Sequence, residues 1–465
     1  MTSADSTPRP ADVLVARLAS FSDVPAIGGT FGVATYSALD SLRADVEEFL
    51  RADGVAAGDR VLVVSDHSPE GAACIFALAH MRATAIPVQA SAVAQRVDQL
   101  RDLSRAQFVL TAPPGGGMAG LRVERVPGMR ASDDPPLLVE LRDRGVAGMI
   151  LFTSGSSGEP KVVVHDLDAL LEKFIADARP VRTVSVLLFD HWGGLNTMFR
   201  VLGSGGFLAC PESRRPDDIC GLVERYQLDL LPASPSFLNM LLVTGADQAH
   251  DVSSLRTVTY GAEPMPATLL TRLVERFPDL RFQQTYGLVE LGVMSSRSRD
   301  RDSLMMTIGG DGYEYRVVDG LLEIRARSSM LGYLNAPSPF TDDGFFRTGD
   351  RVEVDGEYIR VLGRESEMIN VGGEKVLPTE VEAVLIDIPG VDDAVVYGEP
   401  HPLLGQIVCA DVVVGDALDA ADARRVIRRA CAGRLPPYQV PAKVNVVDGP
   451  LVNDRQKRIR PRPTR

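Results

Sequence analysis

The feature that most constrains the fold is a regular alternation of short apolar runs with amphipathic stretches between residues 183 and 287. The short runs, which include TVSVLLFDH, LDLLPASP and LRTVTYGAE, have the length and composition of buried strands. The stretches between them place apolar residues at helical spacing. Residues 36–90 alternate in the same way. Because parallel strands need long, usually helical, connections, the sequence predicts an α/β fold with helix-covered sheets.

The pattern changes in the last third of the chain. Residues 310–364 read as short alternating strands with Asp-Gly turns, which indicates a β-rich subdomain. Beyond residue 364, helix and strand patterns indicate a small unit that contains both. A chain of 465 residues is too long for one core. We therefore predict a large N-terminal domain over 1–364, with the β-rich subdomain at 310–364, and a small C-terminal α+β domain over 365–465.

The composition excludes several classes of protein. The net charge of −13 disfavours general nucleic-acid binding, although the tail RQKRIRPRPTR is basic. We find no apolar run long enough to span a membrane, and the polar, acid-containing start is unlike a secretory signal. The five cysteines show no disulfide or zinc spacing, which favours a reducing cytoplasm.

One loop, TSGSSGEPK at 153–161, combines small, flexible residues with a lysine. Glycines let backbone N–H groups converge on an anion, hydroxyls add donors, and the ammonium group adds charge, so the loop is suited to cradling phosphates. It is not the common nucleotide P-loop, because Val162 follows Lys161 where Ser or Thr is required. Lysine is rare here, with five among 49 basic residues. An ordinary flexible surface loop is the alternative reading.

Further candidates follow the loop along the chain. QTYGLVE places Tyr286 and Glu290 four residues apart at a strand end, and RTGD supplies Asp350. Arg364 and Lys457 come later. Each has an ordinary structural explanation when taken alone: a core aromatic, a turn residue, a surface ion pair or a tail charge. Their joint occurrence in this order favours a nucleotide site.

These blocks resemble those of the adenylate-forming superfamily, which contains acyl-CoA synthetases, stand-alone adenylation domains and luciferases. The similarity runs over essentially the whole chain. It rests on five blocks: TSGSSGEPK at 153–161, YGLVE at 286–290, TGD at 348–350, GR at 363–364 with GGEKV at 372–376, and the C-terminal Lys457.

The resemblance implies a two-step reaction on a small carboxylic acid. The acid and ATP give an acyl-adenylate and pyrophosphate. The thiol of coenzyme A or of a carrier protein's phosphopantetheine then takes the acyl group. ATP and Mg²⁺ are thus the implied cofactors, together with coenzyme A or the phosphopantetheine arm.

The resemblance also assigns residues to the triphosphate and to catalysis. Glu290 would hold Mg²⁺, as a hard carboxylate ligand suits that ion. Lys457 would supply positive charge at the reacting phosphorus. The phosphates would be held by Thr153, Ser154, Gly155, Ser156, Ser157, Gly158 and Lys161.

A second group of residues is assigned to the nucleoside. Tyr286 would provide a stacking face for adenine, with Gly287 beside it, and Asp350 with Arg364 would bind the ribose. The backbone shelf for adenine would be Gly261, Ala262 and Glu263.

The resemblance further implies that the small domain is mobile and swings about a hinge after Arg364. In its second orientation Lys457 leaves the site, and Gly372 and Gly373 line the path of the thiol.

The acyl pocket is predicted from FDHWGGLNT at 189–197. His191 is a candidate catalytic gate, although a buried structural histidine is the alternative. Trp192 stands where amino-acid-activating relatives have an aspartate for the substrate ammonium, so we favour an aryl acid or a medium acyl chain. Gly193 and Ser234 are further candidates for lining this pocket.

Two departures from the family pattern bear on activity. Val289 replaces a Thr or Ser, and Gln456 replaces the glycine before Lys457. Two alternatives therefore stay open: an adenylating enzyme that passes the acyl group to an amine, and a nucleotide-binding protein without turnover. A carrier protein, if it is the acceptor, is expected to act in trans.

Overall fold

The structure is a computed structural model of the chain. It describes residues 8–154, 159–415, 417–449, 451–452, 458 and 460, with the side chain of Ser154 also outside the described part. Within those residues the strands form two seven-stranded sheets, one six-stranded sheet, one five-stranded sheet and a two-stranded pair. Helices and strands are numbered in chain order.

The first seven-stranded sheet is parallel except at one edge. Its spatial order is β13 (Arg281–Gln284), β12 (Thr257–Tyr260), β11 (Leu230–Ala233), β9 (Arg182–Val184), β10 (Phe207–Ala209), β1 (Pro25–Gly29) and β2 (Gly32–Thr35). Only β2 is antiparallel to its neighbour. The connections from β9 to β13 carry α8 (Trp192–Leu202), α9 (Pro216–Tyr226), α10 (Pro235–Thr244) and α11 (Ala267–Arg276).

The second seven-stranded sheet has a parallel centre and antiparallel edges. Its spatial order is β20 (Gly332–Tyr333), β8 (Pro160–Asp166), β7 (Gly148–Ser154), β4 (Thr84–Gln89), β3 (Arg60–Ser65), β5 (Phe108–Thr111) and β6 (Arg122–Arg125). Strands β7, β4, β3 and β5 are parallel, while β8, β20 and β6 are antiparallel to their neighbours.

A layer of helices joins the two sheets. Phe76 of α3 (Pro69–His80) and Phe199 of α8 meet edge to face, with ring centroids 5.3 Å apart. One apolar cluster includes both rings and extends from Val61 in β3 to Leu208 in β10. The helices of this half are α1 (Pro10–Ser20), α2 (Tyr36–Ala52), α3 (Pro69–His80), α4 (Ala94–Ser104), α5 (Gly117–Gly120), α6 (Pro136–Asp143) and α7 (Leu167–Leu171). Because α3 is buried from residue 69 to residue 79, it is the centre of this layer.

The β-rich part is an antiparallel six-stranded sheet. Its spatial order is β16 (Ser295–Ser298), β17 (Met306–Gly309), β22 (Tyr358–Arg364), β21 (Phe346–Asp355), β19 (Leu321–Ala326) and β18 (Tyr313–Val318). A short pair, β14 (Gly287–Leu288) and β15 (Gly292–Val293), precedes it in the chain. Two of the six strands thus begin before residue 310.

The small C-terminal domain is built on a five-stranded sheet. It consists of β24 (Glu374–Val376), β23 (Ile369–Val371), β26 (Gly405–Val414) and β25 (Val391–His401), with β27 (Lys443–Val446) parallel to β26. Helices α12 (Pro378–Ile386) and α13 (Ala420–Ala432) bury Val381, Leu385 and Ile427 in a core of its own.

This architecture confirms the predicted α/β fold class with a large sheet-and-helix domain, a β-rich part and a small C-terminal domain. The boundary at residue 364 stays a prediction. One element differs: the strand expected over 183–191 ends at Val184. Ser185 still donates to Ala209, but the chain then leaves the sheet and places His191 at the start of α8. None of the helices in the described part is long and apolar enough to cross a membrane.

A buried histidine in β8 makes stability depend on pH. His165 is fully buried, its Nε2 lies 2.8 Å from the carbonyl oxygen of Val289, and burial lowers its pKa to about 4. A depressed pKa keeps the folded side chain neutral while the unfolded one is protonated below pH 6.5. The stability is therefore present above that pH and lost as pH falls toward 4.

We expect His165→Gln to weaken this dependence, because the amide can still donate to Val289 but does not titrate. Between pH 7 and pH 5 the wild type should lose about 2 kcal/mol that the variant keeps. Urea unfolding followed by the fluorescence of Trp192, the single tryptophan, measures the difference. His250→Gln is a control of opposite sign: hydrogen bonds to Asp217 and Glu224 raise the pKa of His250, so this variant should lose stability more steeply than the wild type as pH falls. Equal slopes in wild type and His165→Gln would contradict the assignment.

Candidate active site

Several predicted site residues follow neighbouring parallel strands. Ser234 follows β11, the segment Gly261 to Glu263 follows β12, and Tyr286 follows β13. Because these strands are adjacent and parallel, the residues meet at one edge of the first sheet. Ligands of open α/β sheets bind at such carboxyl edges, so the fold places a candidate site here.

The predicted phosphate loop connects β7 to β8. Thr153 pairs with Lys161 across this hairpin. Asn335 holds the returning strand: its Oδ1 accepts from Val162 N–H at 2.9 Å and its Nδ2 donates to the carbonyl of Pro160 at 2.9 Å. Gly155, Ser156, Ser157 and Gly158 lie outside the described residues. The hairpin fixes both ends of the loop.

Lys161 leads into a chain of polar contacts. Its Nζ lies 4.9 Å from the centroid of the Tyr333 ring, within cation–π range. The Tyr333 hydroxyl donates to Glu290 Oε1 at 2.8 Å. Burial, followed by the charge of Glu290, raises the pKa of Tyr333, so this hydroxyl stays protonated as a donor. The lysine of the loop and the candidate metal carboxylate are thus two contacts apart.

A second polar group is centred on Asp350. The Tyr286 hydroxyl donates to Asp350 Oδ2 at 2.6 Å, and Arg364 Nε donates to Asp350 Oδ1 at 3.2 Å. Burial raises the pKa of Asp350, while Arg364 and Tyr286 oppose the rise and Glu290 adds to it. Tyr286 and Tyr333, the tyrosines of the two polar groups, also pack in the same apolar cluster. The residues predicted for adenine, ribose and metal therefore converge.

The predicted adenine shelf follows β12. Gly261 lies against residue 285, and a Cβ there would be 2.5 Å from Thr285 Oγ1. Ala262 is exposed and has a left-handed φ of 69°. Glu263 Oε2 accepts from the Ser236 hydroxyl at 2.6 Å, and its Oε1 accepts from the N–H of Arg458 at 3.1 Å. The shelf thus contacts the C-terminal segment.

The residues predicted for the acyl pocket have structural contacts. His191 precedes α8 and its Nδ1 accepts from Gly193 N–H at 3.2 Å. Trp192 is 1% exposed and packs near Phe199 in the core. Ser234 is also buried and its hydroxyl caps α10 by accepting from Phe237 N–H at 3.1 Å. Their role toward a substrate stays a prediction.

Three other predictions lie elsewhere or outside the described part. Gly372 and Gly373 form the turn between β23 and β24 with φ of 62° and 98°, as the tight hairpin requires. Their contacts are within the small domain, where Gly372 N–H donates to Leu404. Lys457 and Gln456 are outside the described residues.

Val289 is partly buried. Its side chain packs against both the central helix layer and the β-rich core. The apolar residue therefore joins two cores at the position where a hydroxyl was expected.

Some residues that organise the site carry little signal in the sequence. Tyr333 and Asn335 belong to the segment GYLN between β19 and β21, where an aromatic and an amide follow a glycine. That signal is weak, because such pairs are common in turns. Ser236, which binds Glu263, was hidden inside an apolar helix. Pairing across distant strands, not spacing along the chain, makes these residues important.

The site offers little protein ligation for a metal. Glu290 is partly buried and one of its oxygens already accepts from Tyr333, which would orient the carboxylate toward an ion. Within the described residues no group of three or more His, Cys, Asp or Glu could hold a metal. The arrangement fits Mg²⁺, which commonly takes one or two carboxylates and completes its shell with phosphate oxygens and water.

Family comparison matches both parts of the chain. The AMP-binding enzyme family matches residues 14–334, and the C-terminal domain of AMP-binding enzymes matches residues 380–455. Feruloyl-CoA synthase of an Amycolatopsis species is 30% identical, with 93% of each chain covered. These matches confirm the resemblance found in the sequence.

Solved structures agree on the fold. The anthranilate CoA ligase AuaEII, in complex with anthranoyl-AMP, superposes with a TM-score of 0.80 at 17% identity, covering 97% of this chain and 95% of that one. The amide bond synthetase McbA from Marinactinospora thermotolerans gives a TM-score of 0.77 at 22% identity, with 97% and 98% covered. At such identities the likeness shows the fold alone.

The shelf makes a prediction about packing. Gly261→Ala should destabilise the large domain by about 1–3 kcal/mol, because the new Cβ would overlap Thr285. The neighbouring Ala262→Gly should range from no change to a gain of about 1 kcal/mol, since glycine accepts the left-handed backbone. Calorimetric melting temperatures of both variants test this. A Gly261→Ala protein that melts with the wild type would contradict the close contact.

Proposed function

The chain belongs to the AMP-binding enzyme family and is an AMP-forming acid–thiol ligase, and we propose that its substrate is an aryl acid or a medium acyl chain. The acid lacks an α-amino group. The acyl group goes from the adenylate to the thiol of coenzyme A or of a carrier protein's phosphopantetheine. The cytoplasm is the proposed compartment, because all five cysteines are free and buried.

The observation that carries the proposal is a pair of polar groups contributed by the three sheets of the large domain. Lys161, Tyr333 and Glu290 form one group, and Tyr286, Asp350 and Arg364 form the other. A cation beside a carboxylate suits a triphosphate with its metal ion. A buried carboxylate held by a tyrosine and an arginine suits a ribose diol.

In the first step a carboxylate oxygen of the acid bonds to the α-phosphorus of ATP, and the bond to the pyrophosphate oxygen breaks. Lys161 neutralises phosphate charge, and we assign to Lys457 the role of stabilising the charge that develops at phosphorus. Mg²⁺, held through Glu290, would add positive charge at the phosphates. In the second step the thiol sulfur, having lost its proton, bonds to the acyl carbon and AMP leaves.

Two features support an acid without an α-amino group. Trp192 carries no charge, so it cannot pair with a substrate ammonium as a carboxylate does. Among the relatives, feruloyl-CoA synthase and the anthranilate CoA ligase are named for aryl acids. We therefore expect hydroxycinnamate-type and benzoate-type acids to be activated before α-amino acids.

An amine acceptor is the second candidate function. The fold of the amide bond synthetase McbA covers 97% of this chain, so the same architecture occurs in a protein named for amide formation. The two candidates share adenylation and differ only in the nucleophile.

The turn of Gly372 and Gly373 would line the path of the thiol when the small domain swings about the hinge after Arg364.

Pyrophosphate exchange with a library of carboxylic acids tests the proposal. We expect aryl or medium acyl acids to support exchange, and Lys457→Ala to slow it by about 10²–10³-fold through loss of the positive donor. Discharge of the pre-formed adenylate by coenzyme A, by a phosphopantetheine thiol or by an amine then identifies the acceptor. If only α-amino acids support exchange, the proposed class of substrate is wrong. If only amines discharge the adenylate, the proposed thiol acceptor is wrong.

The contact between Tyr333 and Glu290 gives a second prediction. Tyr333→Phe removes the hydroxyl that orients the carboxylate, so the Mg²⁺ concentration for half-maximal exchange should rise about tenfold. Tyr315→Phe is the matched control, because among the described residues the Tyr315 hydroxyl donates to the exposed carbonyl of Glu357, away from Glu290. If both variants need the same Mg²⁺ concentration as the wild type, Tyr333 does not orient a metal ligand.

A further inference from the structure

The described residues include two hydrogen bonds that cross from the large domain to the small domain away from the hinge. Asn239 Nδ2 in α10 donates to the carbonyl oxygen of Asp392 at 2.7 Å. The N–H of Arg458 donates to Glu263 Oε1 at 3.1 Å. We call these four groups the docking seam: the Asn239 and Glu263 side chains on the large domain, and the Asp392 carbonyl and Arg458 N–H on the small domain.

Asn239 is unusual for its position. It is 3% exposed, and its neighbours in α10, Phe237, Leu238 and Leu241, are buried apolar residues. In the described part of the chain its Oδ1 has no hydrogen-bond partner, so the amide is only half satisfied. A buried amide of this kind costs free energy, and its bond to the small domain offsets part of the cost. The contact explains why a polar residue is buried here.

The small-domain side of the seam is held by contacts within that domain. The Arg458 guanidinium donates to Asp393 Oδ1 at 2.9 Å and to the carbonyl of Ala394, and it lies 3.9 Å from Glu382. These partners belong to the same domain as Arg458. Asp393 and Ala394 directly follow Asp392 in sequence, so the acceptor and the donor of the seam are held together.

Glu263 joins the seam to the nucleotide shelf. Its other oxygen accepts from the Ser236 hydroxyl and from the Ser236 N–H at 3.3 Å, at the start of α10. The carboxylate is thus fixed on the large domain before the small domain docks. Asn239 lies one helical turn further along the same helix, so α10 presents both partners.

We propose that the docking seam selects the domain orientation in which the adenylate forms, and that Asn239 is a positioning residue for Lys457. This inference rests on the two-orientation cycle of the proposed function. Lys457 directly precedes Arg458, and consecutive Cα atoms are about 3.8 Å apart, so docking of Arg458 restricts where the ammonium can reach. When the small domain swings, the contacts of Arg458 with Asp393 and Glu382 travel with it, whereas the two bonds of the seam break.

Asn239→Ala tests the proposal, with Asn445→Ala as matched control. Asn445 Nδ2 donates to Asp411 Oδ1 at 2.8 Å, and both residues lie inside the small domain. Losing one cross-domain bond should reduce the ratio of docked to undocked protein by about threefold to tenfold. Pyrophosphate exchange should slow by a similar factor, while discharge of a pre-formed adenylate should keep its rate or gain speed.

A distance measurement reports the orientation without activity. Spin labels on Val93→Cys and Leu403→Cys, which are 70% and 89% exposed, place one probe on each domain. The five native cysteines are buried, so labelling is selective. With the seam unmodified, we expect the two labels to lie mainly at the separation seen in this structure. Asn239→Ala should enrich a second separation, and Asn445→Ala should give the same distribution as the parent protein.

Several results would overturn the proposal. These are an unchanged distance distribution in Asn239→Ala, equal shifts in both variants, or equal slowing of both half-reactions. Failure of the proposed function is recognised separately. If the parent protein catalyses no exchange with any acid, adenylation is refuted, but the distance distributions still decide whether the seam holds the domains.

Discussion

The buried carboxylate of Asp350 is the interaction on which the rest of the site depends. Tyr286, at the end of a strand in the first sheet, and Arg364, at the end of the β-rich sheet, both donate to it. A carboxylate buried in this way is costly unless it is bonded, so the pair of donors fixes it. These three residues therefore link the first sheet to the β-rich sheet. One of them, Arg364, is also the last residue before the predicted hinge.

A second hydrogen bond between a tyrosine and a carboxylate links the second sheet to the site. Another tyrosine, Tyr333, donates to Glu290 and carries Lys161 over its ring. In both groups a tyrosine hydroxyl donates to a carboxylate that is distant in the chain and orients it. The phosphate loop, the candidate metal ligand and the candidate ribose ligand therefore depend on how three sheets pack, and not on any one of them.

The small domain meets this assembly through Glu263 and Asn239. In the proposed cycle this contact forms and breaks at each turnover, which a few hydrogen bonds suit because a large apolar interface would hold one orientation too firmly. The role that we propose for the large domain is to hold the nucleotide, and the role that we propose for the small domain is to bring the C-terminal lysine to it. The contact between the domains would then set when that lysine acts.

The sequence by itself determined the fold class and family, because helix and strand periodicities and the ordered blocks around Lys161, Tyr286 and Asp350 are local signals. It did not reveal Tyr333, Asn335 or Asn239, whose partners are between 43 and 175 residues away. It also predicted a strand over 183–191 where tertiary contacts place a turn before α8. Only the packing of the sheets decided which hydroxyl meets which carboxylate, since local sequence does not encode contacts between distant strands.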